Sequence, residues 1–147
     1  MGVRASRANI LAFVDADIRV APDWLQQAVK AVEANPARPV GGDVRIDFAD
    51  PADPTGIEAF EAVFSFRQKM YIRKMGFSGA GNLAMHRSLF ERVGPFGPIG
   101  TAEDRAWGQK ATAMGAPPRY IPRMIVFHPA RSSLNDVKSR WGRIIAH

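Results

Sequence analysis

Apolar positions along this chain fall at two spacings. Ile10–Val14 is an unbroken apolar run of strand length. Pro22 then opens an amphipathic stretch, "PDWLQQAVKAVEAN". Its pattern puts Trp24, Leu25, Ala28, Val29 and Val32 on one helix face and Asp23 in the first turn, and Asn35-Pro36 ends it. Val44, Ile46 and Phe48 alternate with Asp43, Arg45 and Asp47, the period of a half-exposed strand. "ADPADPTG" is a turn cluster. Thr55-x-x-Glu58 forms a capping box ahead of Ile57, Phe60, Val63, Phe64, Met70 and Tyr71 at helical spacing, which predicts a helix to about Lys74.

Beyond it, "GFSGAGNLAMHR" reads as a glycine-rich turn and a strand. Ser88-x-x-Glu91 predicts the cap of a short helix ending at Gly94-Pro95, and Thr101-x-x-Asp104 that of another, closed by Gly115. "RYIPRMIVFH" is strand-like, and Pro122 calls for an edge position or a bulge. Ser133-x-x-Asp136 opens a last helix with Leu134, Val137, Trp141, Ile144 and Ile145 on one side. Strands and helices alternate, so the class is α/β.

Composition narrows this. The 147 residues suit one domain or a piece of one, and 46% apolar residues suffice for a core. There is no cysteine, so disulfides and thiolate metal sites are excluded. The formal charge of +6 favours an anionic partner. It comes without an aromatic-basic motif, so no nucleic-acid partner is expected. Apolar runs fall far short of the roughly 20 residues that span a bilayer. "MGVRASRAN" lacks the apolar stretch of a signal peptide. A cytoplasmic location is expected. Lys138, Arg140 and Arg143 beside the last apolar stripe suggest peripheral contact with the inner face of a membrane, against the alternative of a helix packed on the domain.

The first apolar run ends in Asp15-Ala16-Asp17. In an open α/β sheet, ligands bind beyond the carboxyl ends of strands. Residues i and i+2 of an extended segment point to one side, and two carboxylates there can hold a hard cation such as Mg²⁺. Taken alone, the triplet is equally an ordinary pair of turn acids. Two enzyme classes use it. In haloacid-dehalogenase-like phosphatases the first Asp is a nucleophile, and Gly42–Asp47, "GDVRID", looks like their later acidic motif. But Arg19 stands where Thr or Val is wanted, and about 25 residues between the motifs leave no room for the intervening βα steps.

The other class accounts for more of the chain. "ILAFVDADIRVAPDWLQQAV" resembles the metal-motif strand and following helix of glycosyltransferase family 2, of the GT-A fold. "GAGNLAMHRSLFERVGPF" resembles its acceptor-side segment, "AEDRAWGQKATAMGAPPRYIP" its Glu-Asp helix, and "VFHPARSS" its histidine segment. The four stand in the family's order. The resemblance implies a nucleotide-sugar donor, Mg²⁺ or Mn²⁺, and a saccharide or lipid-linked acceptor whose hydroxyl attacks with inversion. It implies that Asp15 and Asp17 hold metal and diphosphate, that His128 faces them, and that Asp104 is the general base with Glu103 beside it. It places Gly79, Gly81 and Asn82 in the acceptor turn.

The residues alone leave competing roles open. Glu103 and Asp104 also suit the first turn of a helix as cap and dipole partners, His128 also suits a backbone-bonded strand end, and the glycines suit plain turn chemistry. In the family, roughly two or three βα units of about 30 residues precede the D-x-D strand and hold the nucleobase. Residues 1–147 are therefore expected to form one partial GT-A (Rossmann-like) domain, its carboxyl half, truncated at the N-terminus. Such a half is expected to bind donor poorly, or to serve as a non-catalytic module completed by a partner chain.

Overall fold

The structure is a computed structural model that describes residues 2–98, 100–131, 133, 135, 137 and 138. A short helix α1 (Gly2–Ala5) leads into β1 (Ile10–Phe13), β2 (Arg19–Val20), α2 (Trp24–Ala34) and β3 (Val40–Asp47). Then come α3 (Gly56–Phe64), α4 (Gln68–Met70), a π-helical turn Tyr71–Met75 and a 3₁₀ turn Ala80–Asn82. The remainder is β4 (Leu83–His86), α5 (Arg87–Val93), α6 (Glu103–Ala113) and β5 (Arg119–Pro129). The predicted C-terminal helix lies for the most part outside the described residues.

The strands form one sheet in the order β1-β4-β3-β5-β2. The sheet is mixed: β3 and β5 run parallel, and the other pairs are antiparallel. Pleat alternation in β4 divides the core. Ala84 faces a cluster under α2 with Trp24, Ala28, Val32 and Met124. Leu83 and Met85 face a second cluster under α5 and α6 with Leu89, Val93, Trp107 and Ala111. Leu25, placed by its spacing on the inner face of α2, is 61% exposed.

The strand read as half-exposed is interior. Val40, Gly41 and Gly42 are buried between β4 and β5, and the alternation survives only towards Asp47. Pro122 produces the bulge foreseen: Gly42 pairs with Ile121 but Asp43 with Ile125, so Pro122, Arg123 and Met124 bow out. The Met124 carbonyl then lies against Gly42, where a Cβ would sit 1.8 Å from its oxygen. Gly42→Ala is therefore expected to lower stability by about 3 kcal/mol or more, read by urea denaturation.

The helix predicted from 55 to about 74 stops at Phe64. Ser65 is extended and Phe66 takes φ 45°, so the chain turns before α4 begins. The capping box holds: the Thr55 hydroxyl accepts from Glu58 N–H, and Glu58 accepts from Thr55 N–H at 2.7 Å. The buried face, however, is the opposite of the apolar stripe. Glu58, Glu61 and Ser65 are buried, while Phe60, Val63 and Phe64 are 41%, 65% and 46% exposed. The inversion is stable because each carboxylate is fully bonded. Glu58 also accepts from Ala49 N–H, and Glu61 accepts from Arg131 N–H at 2.7 Å, the Arg131 guanidinium and the Ser65 hydroxyl.

Two more predicted capping boxes give way. The cap of α5 is His86, whose ring Nδ1 accepts from Ser88 N–H. The cap position of α6 is Ala102 at φ 52°, with no side-chain cap bond. The Thr101 hydroxyl instead donates to the Pro98 carbonyl.

Candidate active site

Four short segments meet at one end of the sheet. The D-x-D residues follow β1. The turn Gly79–Gly81 precedes β4. Glu103 and Asp104 open α6, and His128 lies near the end of β5. They border a cleft of about 560 Å³, whose lining includes Asp15, Phe66, Gln68, Gly79, Gly81 and Asp104. That volume suits a small ligand. Asp17 and His128 flank Asp15 outside the lining.

Close glycine contacts set the spacing. A Cβ on Gly81 would lie 2.6 Å from Asp15 Oδ2, so the Asp15 carboxylate rests directly on the turn. A Cβ on Gly108 would lie 2.7 Å from Phe77 Cα, so α6 packs tightly against the segment that enters the turn. Asp104 thereby reaches it, and its Oδ2 accepts from Ala80 N–H at 3.4 Å. Its Oδ1 accepts from Arg105 N–H at 2.7 Å. Because Thr101 makes no box with it, Asp104 is not the reciprocal partner of a helix cap.

The cluster is strongly anionic. Asp15 as a residue is exposed, yet its carboxylate lies against Gly81. This desolvation, together with Asp17, Asp104 and Glu103, raises its pKa above the ordinary Asp value, while His128 opposes the rise. Burial likewise raises the pKa of Asp104; backbone N–H donors counter it and Glu103 adds to it. His128 is 9% exposed and its Nδ1 lies 2.7 Å from the Pro129 carbonyl oxygen. A carbonyl only accepts, so Nδ1 carries the hydrogen and the lone pair of the neutral ring is on Nε2, 3.7 Å from Asp17 Oδ2. A cation, or a water that donates a hydrogen to each, can sit between two such groups. Among the described residues no group of three His, Asp or Glu side chains could by itself hold a metal ion. Asp15 and Asp17 alone are therefore not a complete cation site, and a hard cation here would need ligands from elsewhere.

With this geometry in place, the likeness to known proteins is informative. The model of "Glycosyl transferase family 2" matches residues 1–94, well over half of the chain. The chain belongs to this family. It is also similar to Glycosyltransferase AglE of Haloferax volcanii, 30% identical over 131 residues that cover 88% of this chain and 42% of that protein. The chain thus spans less than half the length of that relative. Among solved structures it resembles the mannosyltransferase PcManGT of Pyrobaculum calidifontis, in complex with GDP-Man and Mn²⁺, at TM-score 0.62 and 20% identity. The likeness covers 93% of this chain and 36% of that one. GalNAc-T7, with UDP, GalNAc and Mn²⁺, gives TM-score 0.58 and 16% identity over 88% of this chain and 29% of its own. The fold is thus a partial GT-A fold. The phosphatase-like reading of Gly42–Asp47 gives way too: those residues are β3, and Asp47 forms a two-point ion pair with Arg19.

Within this family 2 chain, Asn82 sits beneath the site. It is fully buried, its Oδ1 accepts from the Trp24 indole at 2.9 Å, and its Nδ2 donates to the Asp43 and Met124 carbonyls at 2.8 Å each. It ties α2, β3 and β5 to the turn. Gln68, Phe66 and Arg131 line the cleft without having been singled out from sequence. Phe66 lies 4.5 Å from His128, ring centroid to centroid. Arg131 stands three positions after His128, in the segment that resembles the family's, which was the available signal. Gln68 had none, since it falls inside a stretch that reads as continuous helix.

Proposed function

We propose that this chain forms the metal and acceptor side of an inverting glycosyltransferase site, which moves a sugar from a nucleotide-sugar donor to an acceptor hydroxyl. The observation that carries the reading is the convergence of Asp15, Glu103 and Asp104 on one cleft, with Asp17 and His128 beside Asp15 outside its lining, in a chain of this family. Asp15, Asp17 and His128 would hold Mg²⁺ or Mn²⁺ together with the donor diphosphate. A cation bound there stabilises the departing negative charge. The Mn²⁺ and the nucleotides of GalNAc-T7 and PcManGT agree with that choice.

Asp104 is the general base. Its Oδ2 accepts a long bond from Ala80 N–H and takes the acceptor proton. The freed oxygen bonds the anomeric carbon as the bond from that carbon to the diphosphate oxygen breaks on the opposite face. Burial and Glu103 hold Asp104 above the ordinary Asp pKa, which makes it a stronger base once ionised. Gly79 and Gly81 bring the turn backbone close to Gln68, Asp104 and Asp15, where a sugar would approach. Asn82 positions the acceptor turn from below. The acceptor is a saccharide or a lipid-linked sugar. No helix among the described residues is long and apolar enough to cross a membrane. A lipid contact, if made, would fall to the basic C-terminal segment around Lys138, against the alternative that this segment packs on the domain.

The test is a reaction of the chain with UDP-glucose or GDP-mannose, Mn²⁺ and a panel of methyl glycosides, followed by NMR of the product anomer. Inverted product and free nucleoside diphosphate support the reading, and a retained anomer contradicts it. One observation favours a second reading, a binding module completed by a partner. Among the described residues β1 pairs only with β4, which leaves one strand edge without a ladder partner. On that reading, a partner that adds a strand there would strengthen donor binding by the chain.

A further inference from the structure

Gln68 is 4% exposed and lines the cleft beside Asp104. Its Oε1 accepts from Gly79 N–H at 3.1 Å and lies 3.3 Å from the Ser78 hydroxyl. A backbone N–H can only donate, so the bond from Gly79 fixes which end of the amide is oxygen. Nε2 is then the free end, with no hydrogen-bond acceptor among the described residues. Its position follows from Gly79: a Cβ there would lie 2.7 Å from Gln68 Nε2 and 3.5 Å from Asp104 Oδ2. The amide N–H₂ and the carboxylate flank one space at the turn.

Gln68 Nε2 is not among the buried unpartnered atoms, so this end of the amide opens to the cleft, where a ligand can accept from it in place of water. The neighbouring carboxylate accepts and does not donate. A group that meets both must carry hydrogen and lone pair together, and a sugar hydroxyl does. We infer that Gln68 is an acceptor-positioning residue: its Nε2–H₂ donates to an acceptor-sugar oxygen while the hydroxyl hydrogen points at Asp104 Oδ2. The inference rests on the reading of Asp104 as general base. A side chain at position 79 would have to displace the Gln68 amide. Its register depends on the break at Phe66, which starts α4 afresh and turns position 68 inward.

The test is side-chain amide NMR of the ¹⁵N-labelled chain with GDP, UDP and Mg²⁺, the Gln68 pair assigned by its loss in Gln68→Leu. Methyl α-D-mannopyranoside, methyl β-D-glucopyranoside and methyl β-D-galactopyranoside serve as probes. At least one should shift the Gln68 Nε2–H₂ pair together with the Gly79 and Ala80 amides. Gln68→Glu at pH 8 keeps an oxygen for Gly79 and Ser78 but removes the donor, and should bind that sugar at least about tenfold more weakly. A Gln68 pair that stays still while Gly79 and Ala80 move overturns the inference. So does the absence of any shift with all three sugars, and so does full binding by Gln68→Glu. If Asp104→Asn still catalyses transfer, the base assignment fails while a shifted Gln68 pair still marks a sugar site.

Discussion

Asp104→Asn is expected to lower transfer by about 10²–10⁴-fold and leave donor binding close to wild type. The substitution is nearly isosteric and removes the proton-accepting oxygen. The two N–H donors at this side chain come from Ala80 and Arg105, and an asparagine Oδ1 can keep one of them. The loss should therefore appear in turnover rather than in melting temperature. The pH profile supplies a second signature. The base works when ionised, so activity rises as pH rises through its pKa. Burial first, and Glu103 with it, place that pKa above the ordinary Asp value, and the acid limb should lie correspondingly higher. Glu103→Gln removes one raising charge and should move the limb to lower pH with the maximum rate largely kept. A limb that does not move assigns the titration to another group.

Glu61→Ala is expected to cost about 3–5 kcal/mol of stability, read by urea denaturation. The Glu61 side chain is 1% exposed and Arg131 is 19% exposed, so solvent screens the pair little. Removal of the carboxylate leaves the Arg131 guanidinium and backbone N–H without their acceptor. Burial alone would raise the Glu61 pKa, but the bonds from Arg131 and Ser65 outweigh it and the net shift is downward. The sign follows. A carboxylate lowered in the folded state contributes stability that is fully present above the unfolded Glu value of about 4.3 and is lost as pH falls through the folded value. Wild type should therefore weaken below about pH 4, and Glu61→Ala should show a shallower acid dependence.

These two residues differ in how far the sequence announces them. Asp104 was legible because the order of four segments carries family information that survives without any knowledge of packing. β1, α2, β4 and the bulge at Pro122 were legible for a local reason: an apolar run, a helical stripe and a missing N–H each act where they stand. Glu61 was illegible because the stripe Phe60, Val63, Phe64 argues for the wrong face, and only Arg131, 70 positions away, makes the buried carboxylate favourable. The predicted box at Thr101 failed for a related reason. Ala102 in a left-handed conformation starts α6 and releases Asp104 towards the turn at Gly79–Gly81. Asn82 looked like a sugar contact from its motif, but its three bonds to Trp24, Asp43 and Met124 depend on tertiary neighbours that no local pattern reveals.

The proposed site requires the acids after β1 to hold a divalent cation against a nucleoside diphosphate. Electron paramagnetic resonance of Mn²⁺ titrated with the chain tests it most directly, in the presence and absence of GDP and UDP. Wild type is expected to take up Mn²⁺ more tightly when a nucleotide is present, and Asp15→Asn with Asp17→Asn to abolish the nucleotide-dependent part. Equal uptake by wild type and by the double variant would contradict it.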